Sequence, residues 1–489
     1  MDKEFEYYTI LGLTPEATLE EIQDAFAERR TKFPADKRDK EASPEYARLA
    51  NAYEVLSDSG RRATYDSLLA ETRTLEKVNL QLLTSRDRIK VSDAEQMVYL
   101  LLNILPPKQE AQKQPLNLSL VIDKSTSMQG NRLSHVKTAI ELIVNKLSSA
   151  DTLSIVSFSD RAEVVVPSGK VENATAVIGK LRGIQASGGT EIFHGLQAGM
   201  QELGKVPLNA HTNYLILLTD GHTYGDAAQC LDLARRMAEQ NIGISAFGLG
   251  TEWNDQFLDA LVAPSGGNSN FVEQPQEILQ HLQKRIQGLG TIYSQNLSLK
   301  ADLHRKVSIH YGFKMEPFAQ PLNIDDGLLH LGNLEGRSPV SVLLELKISP
   351  SPVETRINLN VELLADIPGP QLREQTFKHT HQLYVLSDMK QEMPPEKIVE
   401  AVRVMNMYRM NEKVWQEVEA GRLDVATTRM QHLSTRLLEA GETALAQQAQ
   451  QEMEQISRVG TMSLAGRKKL KYGTRALIDK TQLNDMQND

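Results

Sequence analysis

Leu116–Ser127, LNLSLVIDKSTS, is the segment of this chain that most clearly indicates its fold. Its apolar residues form a continuous run, as in a strand at the centre of a parallel sheet, where both faces are buried. The run ends at Asp123, and two hydroxyl residues, Ser125 and Ser127, follow at alternate positions. Ligand sites in such sheets lie where a strand ends and the chain turns into a helix. We therefore predict a binding site at this turn.

The side chains at this turn favour a hard metal ion. One carboxylate and two hydroxyls offer only oxygen, which suits Mg²⁺ or Mn²⁺ better than zinc or copper. Aspartate and serine also form ordinary turns and helix N-caps, which is the structural alternative. Two further stretches favour the metal site. Ser187–Thr190, SGGT, opens an apparent helix, and Leu215–Gly221, LILLTDG, is a second apolar strand that ends at Asp220.

In this order the stretches resemble the metal-ion-dependent adhesion site of the von Willebrand factor A (VWA) family, over roughly residues 114–288. All five positions of the family's motif are present: Asp123, Ser125, Ser127, Thr190 and Asp220. The resemblance implies that the serines bind Mg²⁺ or Mn²⁺ directly, whereas the threonine and the aspartates bind it directly or through water. It also implies that an aspartate or glutamate of a partner protein completes the coordination shell. Specificity would then come from four loops: Gln129–Asn131, Ser159–Arg161, Ser187–Gly189 and His222–Tyr224.

Residues 1–70 are predicted to form a small helical domain. Thr18, with Glu21 three positions later, predicts a capped helix start, and apolar residues recur at helical spacing in the segments around it. The strings YYTILGL, AYEVLSD and RRATYD resemble the J-domain family of co-chaperones. Members of this family stimulate the ATPase of their partner chaperone through a His-Pro-Asp tripeptide in the loop after the second helix.

That loop departs from the family's pattern. It reads KFPADK, with Phe33 in place of the histidine, Ala35 in place of the aspartate, and Asp36 one residue late. We therefore predict a J-like fold without the stimulating activity. Basic residues near the loop either dock an acidic partner or form the solvated face of a helix. They are Arg29, Arg30, Lys32, Lys37 and Arg38.

Segments on both sides of the VWA-like region alternate apolar and polar residues, as half-buried strands do. They cover residues 75–105 and 292–386. The first segment is too short to form a core alone. We predict that both belong to one β-sandwich into which the VWA-like domain is inserted, and two unrelated patches of strand are the alternative. The expected fold class is multidomain: a helical J-like module, a doubly wound α/β domain, a β-sandwich and C-terminal helices.

The C-terminal part is predicted to be helical over residues 394–460, with Gly421 and Gly441 at helix ends. The last stretch, 461–489, is rich in polar residues and has one basic cluster, Arg467–Lys471. We predict that it is a polar tail. Its basic cluster either touches an acidic surface or keeps the tail soluble.

The composition of the chain argues against several classes of protein. The 489 residues are too many for one core, so several domains are expected. A net charge of −9 argues against a general nucleic-acid binder. The single cysteine, Cys230, has no partner for a disulfide within the chain. The sequence has neither a signal peptide nor an apolar run long enough to span a bilayer, so we expect a cytoplasmic protein without a membrane span.

The function that these features favour is an intracellular adaptor that captures a partner's carboxylate through a metal ion. The alternative is a J-domain-type co-chaperone whose VWA-like domain binds the client. A metal-dependent hydrolase is a third hypothesis, since Mg²⁺ can activate water and His194 and His222 follow the motif closely. Neither a phosphate-binding glycine loop nor a cysteine nucleophile accompanies them, so we expect no enzyme activity and no catalytic residue. Resemblance to intracellular bacterial VWA proteins implies a MoxR-type AAA+ ATPase or a chaperone as partner.

Overall fold

The computed structural model describes residues 6–14, 17–33, 44–63, 65–66, 78–106, 115–223, 225–324, 327–336, 338–367, 373–388 and 392–485. Contacts between residues divide the chain into two compact units. One consists of residues 1–78 and 107–110, and the other of residues 79–106 and 111–489.

The first unit is a small helical domain. Its helices are α1 (Glu6–Leu11), α2 (Leu19–Arg30) and α3 (Pro44–Leu56), which share one apolar core. Thr18 caps α2 as the sequence predicts. Its hydroxyl accepts a hydrogen bond from the Glu21 N–H at 3.2 Å, and the Glu21 carboxylate accepts one from the Thr18 N–H at 2.6 Å.

The second unit contains a doubly wound α/β domain. Its sheet has six strands in the order β6-β5-β4-β7-β8-β9, all parallel to their neighbours except β6. All eight residues of β4 are buried, because helices cover both faces of the sheet. The elements are β4 (Leu116–Asp123), α4 (Asn131–Val144), β5 (Thr152–Phe158), β6 (Ala162–Lys170), α5 (Ala174–Arg182), α6 (Ile192–Leu203), β7 (Thr212–Thr219), α7 (Ala227–Glu239), β8 (Ile242–Leu249), α8 (Asp255–Val262), β9 (Asn268–Val272) and α9 (Ile278–Leu289).

The register of the two central strands positions the predicted site. Strands β4 and β7 are parallel neighbours, with Leu116 opposite Thr212 and Ile122 opposite Leu218. Asp123 and Asp220 therefore follow at the same edge of the sheet. This is the edge where the parallel strands end and ligands bind in such folds.

The α/β domain is inserted into a β-sandwich, which confirms the predicted architecture. The two sheets have strand orders β1-β3-β14-β11-β12 and β13-β10-β15-β16-β2. Strand β3, from before the insertion, pairs with β14, from after it, between Gln96 and Ile104. The strands are β1 (Asn79–Thr84), β2 (Arg88–Lys90), β3 (Gln96–Leu105), β10 (Ile292–Leu303), β11 (Val307–Glu316), β12 (Gln320–Pro321), β13 (Leu328–Glu335), β14 (Val340–Ile348), β15 (Thr355–Ile367) and β16 (Arg373–Leu386).

Buried charged groups hold the inserted domain on the sandwich. Lys314 is 2% exposed, and its Nζ donates to the carbonyl oxygens of Gly266 at 2.9 Å and Leu331 at 2.7 Å. Arg285 and Glu335 form a buried ion pair at 2.8 Å beside it. Burial lowers the pKa of Lys314 to about 7, and repulsion from Arg285 adds to this effect. The contacts of Lys314 with Gly266 and of Arg285 with Glu335 cross from the sandwich to the α/β domain, so the two are joined by more than their linkers.

Four helices follow the sandwich in the described part of the chain: α10 (Glu396–Glu419), α11 (Leu423–Glu439), α12 (Thr443–Val459) and α13 (Leu464–Asp485). They share an apolar core with the sandwich residues Leu101, Phe313 and Leu343. Gly421 and Gly441 lie between helices with φ of 71° and 77°, in the left-handed region that glycine tolerates best. No helix in the described part of the chain combines the length and apolar character needed to cross a membrane.

The prediction of a polar tail over residues 461–489 is wrong, because Leu464–Asp485 form the helix α13. Four of its basic side chains are at most 8% exposed: Arg467, Lys468, Lys471 and Arg475. The Nζ of Lys471 lies 2.6 Å from Asp255 Oδ2 and 2.8 Å from Asp259 Oδ2, and Arg475 Nη2 lies 2.6 Å from Asp259 Oδ2. The acidic partners belong to α8, more than 200 residues earlier in the chain. The segment looks like a tail in the sequence because the residues that neutralise it are remote.

Candidate metal centre

Asp123 is fully buried at the end of β4. Its Oδ1 accepts a hydrogen bond from the Ser125 N–H at 2.7 Å, and its Oδ2 accepts one from the Thr219 hydroxyl at 2.6 Å. Burial raises the pKa of Asp123 to about 6. The carboxylate of Asp220 adds to the rise, while the hydrogen bonds from Ser125 and Thr219 oppose it. The protein therefore orients the ionised carboxylate of Asp123 but does not fully offset the cost of burying its charge.

The two serines connect the two aspartates. The hydroxyls of Ser125 and Ser127 lie 3.0 Å apart, and the Ser127 hydroxyl donates to Asp220 Oδ1 at 2.7 Å. Asp220 is fully buried at the end of β7, whereas Ser127 is exposed. The group of side chains is thus anchored in the interior and open to solvent on the serine side.

Thr190 reaches the same group from the glycine-rich loop. The backbone N–H and the hydroxyl of Thr126 both donate to the Gly188 carbonyl at 3.0 Å, which holds this loop against the turn after β4. Thr190 is 5% exposed. Its Oγ1 would lie only 3.0 Å from a Cβ placed on Gly221, the residue after Asp220. The absence of a side chain at Gly221 therefore lets the threonine approach.

The structure brings all five predicted ligands to one edge of the sheet, and they fit a hard divalent cation. Every donor is an oxygen. Of the two fully buried carboxylates, only Asp220 pairs with a basic side chain among the described residues, so Asp123 needs positive charge nearby. The described residues contain no group of three or more histidine, cysteine, aspartate and glutamate side chains suited to a metal. A metal here would therefore depend on the hydroxyls of Ser125, Ser127 and Thr190 as well as the two carboxylates.

Two further residues contact the site without belonging to the motif. Thr219, the last residue of β7, orients Asp123, and the only sequence signal is a hydroxyl directly before Asp220. Arg132, in the first turn of α4, forms an ion pair with Asp220. No motif marks Arg132, since its role follows from the direction in which α4 leaves the site.

The two histidines that follow the motif, His194 and His222, have different surroundings. His194 lies on α6, and its Nε2 is 3.0 Å from Glu191 Oε2, with both side chains 45% exposed. His222 is exposed in the loop after Asp220. Tyr224, at the end of that loop, lies outside the described residues.

The predicted docking surface of the helical module is described only in part. Arg29 is half-buried and lies against Gly12, where an added Cβ would overlap its guanidinium. Arg30 and Lys32 are exposed. Lys37 and Arg38 lie outside the described residues.

Phe33 is partly buried and packs against the core of the helical module. Its ring packs edge-on against Tyr46, with centroids 5.4 Å apart. A histidine that must contact a chaperone would not occupy such a position. We therefore reassign the place of the His-Pro-Asp tripeptide from Phe33–Ala35 to Pro34–Asp36, in which only the aspartate matches. Pro34–Asp36 lie outside the described residues, and no histidine occurs anywhere in residues 6–66.

Three family models match separate parts of the chain. The von Willebrand factor type A domain matches residues 117–285, and the DnaJ domain matches residues 6–66. A third model, Sll0103-like, C-terminal alpha-helical domain, matches residues 396–480 and so includes most of α13. The chain thus carries a VWA domain and an N-terminal DnaJ domain, as the resemblances imply.

Individual proteins share parts of this organisation. Protein sll0103 of Synechocystis sp. is 33% identical over 190 residues, which cover 39% of this chain and 45% of that protein. Protein CAJ1 of Saccharomyces cerevisiae is 44% identical over 68 residues, or 14% of this chain and 17% of that protein. The chain therefore spans less than half of the length of these curated relatives. The solved structure of a von Willebrand factor type A protein from Catenulispora acidiphila matches with a TM-score of 0.66 at 14% identity, over 82% of this chain and 96% of that one. That likeness concerns the fold alone.

Proposed function

We propose that this protein is an adaptor that binds a partner protein through a divalent metal ion held by its VWA domain. The VWA and DnaJ domains are consistent with a role in protein interaction or as a co-chaperone. The observation that carries the proposal is the convergence of five oxygen ligands at the carboxyl edge of the sheet: Asp123, Ser125, Ser127, Thr190 and Asp220. A Mg²⁺ or Mn²⁺ ion bound there would supply positive charge and an exchangeable coordination position.

The residues of the site have two roles: some hold a carboxylate in place, and one leaves the site accessible to solvent. Thr219 and the Ser125 N–H orient the Asp123 carboxylate in the interior. Ser127 faces solvent and leaves the site open on that side. The charges of two carboxylates and a divalent cation sum to zero, so an incoming aspartate or glutamate of the partner meets no net repulsion and would bind the ion through a charge-assisted contact.

We propose that the protein is not an enzyme, and that its partner is a protein rather than a nucleic acid. His194 of α6 pairs with Glu191, the residue before that helix, and a net charge of −9 disfavours binding to phosphate backbones. A MoxR-type AAA+ ATPase and a chaperone remain the two partner classes that the family resemblances suggest. The cytoplasmic location also remains a prediction.

The proposal is tested by affinity capture from a lysate with wild type and Asp123→Ala, each in Mg²⁺ and in EDTA, with mass spectrometry of the captured proteins. We expect a partner that is recovered only by wild type in Mg²⁺. Asp151→Ala is the matched control, because Asp151 bonds the Leu116 N–H at the opposite end of β4, and it should retain the partner. Recovery of the same proteins in all samples would show that the metal site is not the binding surface.

The second candidate function is that of a co-chaperone, which the DnaJ match favours. Because no histidine is present in that domain, we expect wild type to leave the ATPase rate of a DnaK-type chaperone unchanged. The double substitution Pro34→His with Ala35→Pro, which keeps Asp36, should raise that rate several-fold. Adding Asp36→Asn should remove the gain. Stimulation by wild type would favour the co-chaperone instead of the adaptor.

A further inference from the structure

Arg132 lies inside the candidate metal centre. Its Nη1 donates to Asp220 Oδ2, and to the Ser127 carbonyl at 3.2 Å. Asp220 Oδ1 is already bonded by the Ser127 hydroxyl, so both oxygens of this buried carboxylate are engaged. The Arg132 side chain is 33% exposed, which places its guanidinium at the boundary between the site and solvent.

The position of Arg132 is shaped by the turn after β8. Gly250 has a φ of +73°, and a Cβ added there would lie 3.0 Å from Arg132 Nη2, 3.4 Å from Cζ and 3.5 Å from Nε. The guanidinium therefore rests against a stretch of backbone without a side chain. Lys468 of α13 secures the same turn by donating to the carbonyls of Thr251 at 2.6 Å and Trp253 at 2.7 Å. The Arg132 side chain is thus held in a defined position against this turn and does not extend freely into solvent.

The positive charge of Arg132 acts on Asp220, one of the candidate metal ligands. An arginine–carboxylate pair is charge-assisted and directional. A divalent ion that uses Asp220 would approach the same carboxylate and be repelled by the guanidinium. The other guanidinium nitrogens, Nε and Nη2, have no hydrogen-bond acceptor among the described residues, so leaving Asp220 would cost Arg132 only its contacts through Nη1.

We propose that Arg132 is a tethered cation that competes with the divalent ion for Asp220 and thereby sets the metal affinity of the site. The inference rests on the proposed function, because it assumes that a metal binds at these residues. Paired with Asp220, Arg132 makes the site less competent for metal. When it swings outward, it leaves the carboxylate available. The apparent affinity is reduced by the fraction of molecules in which the site is competent.

The first test measures metal affinity on the full chain, with Mn²⁺ followed by electron paramagnetic resonance and Mg²⁺ by calorimetry. Arg132→Gln should bind Mn²⁺ about 10-fold more tightly than wild type, as expected if the pair occupies the site in nine of ten molecules. Arg132→Lys keeps the charge and should stay within about 3-fold of wild type. Arg182→Gln is the control, because Arg182 pairs with Glu141 on the surface and should leave the affinity unchanged. Equal or weaker affinity in Arg132→Gln would overturn the proposal.

The second test follows the guanidinium itself, by phenylglyoxal modification of Arg132 read by peptide mass spectrometry. Modification should increase several-fold when saturating Mg²⁺ is added to wild type, and should not respond to Mg²⁺ in Asp123→Ala. An unchanged modification rate in wild type that demonstrably binds Mn²⁺ would overturn the competition while leaving the metal site intact. If neither wild type nor Arg132→Gln binds Mn²⁺, the proposed metal-dependent function fails, and the competition fails with it.

Discussion

Asp123→Ala is expected to lower the affinity for Mn²⁺ by about 100-fold or more while the protein stays folded. Asp123 is the one carboxylate of the site that no basic side chain pairs with among the described residues, so its charge is directed at the ligand position. Burial raises its pKa to about 6, which means that the ionised form destabilises the fold when no cation is near. The substitution loses the hydrogen bonds from Ser125 and Thr219, but it also removes the cost of burying a charged carboxylate. The free energy of unfolding should therefore change little.

The measurement is a Mn²⁺ titration by electron paramagnetic resonance, with thermal unfolding recorded on the same samples. Asp151→Ala provides a comparison on the same strand. Its carboxylate caps the Leu116 and Ser148 N–H groups at 2.8 Å each, at the end of β4 away from the site. We expect this variant to keep wild-type affinity. Wild-type Mn²⁺ affinity in Asp123→Ala would remove that carboxylate from the metal site.

Asp259→Ala is expected to lower the free energy of unfolding by about 3 kcal/mol, because it leaves buried basic groups without their partner. Arg475 contacts the Asp259 carboxylate with two nitrogens, at 3.1 Å and 2.6 Å, and Lys471 approaches it at 2.8 Å. Burial acts to raise the pKa of Asp259, but Arg475 and Lys471 outweigh burial and hold it below its usual range. The ion pair therefore stabilises the protein above the ordinary pKa of 3.8, and this contribution is lost as the pH falls below it.

Urea unfolding at neutral pH measures the loss, and hydrogen exchange locates it. Amide protection should fall first in α13, since that helix is held on α8 by these ion pairs. Asp232→Ala is the matched control on α7, where Asp232 and Arg235 are 65% and 64% exposed. A surface pair of this kind contributes about 0.5 kcal/mol or less. If both variants unfold at the same urea concentration, α13 is held by its apolar contacts instead.

The five candidate ligands were accessible to sequence reasoning because each belongs to a local pattern. A buried strand that stops at an aspartate determines both the residue type and the end of the strand where it lies. Thr219 and Arg132 were not accessible in this way. Thr219 bonds Asp123 across 96 positions, and Arg132 meets Asp220 across 88. Each contact depends on which strands are neighbours and on how a helix leaves the sheet.

The α/β domain, its insertion into the sandwich and the oxygen character of the site can all be predicted from the sequence, because apolar periodicity and strand-ending motifs are encoded over a few consecutive residues. The last helix, in contrast, depends on contacts between residues that are far apart in the chain. Its basic residues read as a solvated tail when considered alone, since buried charge is unfavourable without a partner. Folding places Asp255 and Asp259 of α8 against Lys471 and Arg475. That long-range neutralisation allows the charged segment to become part of the interior.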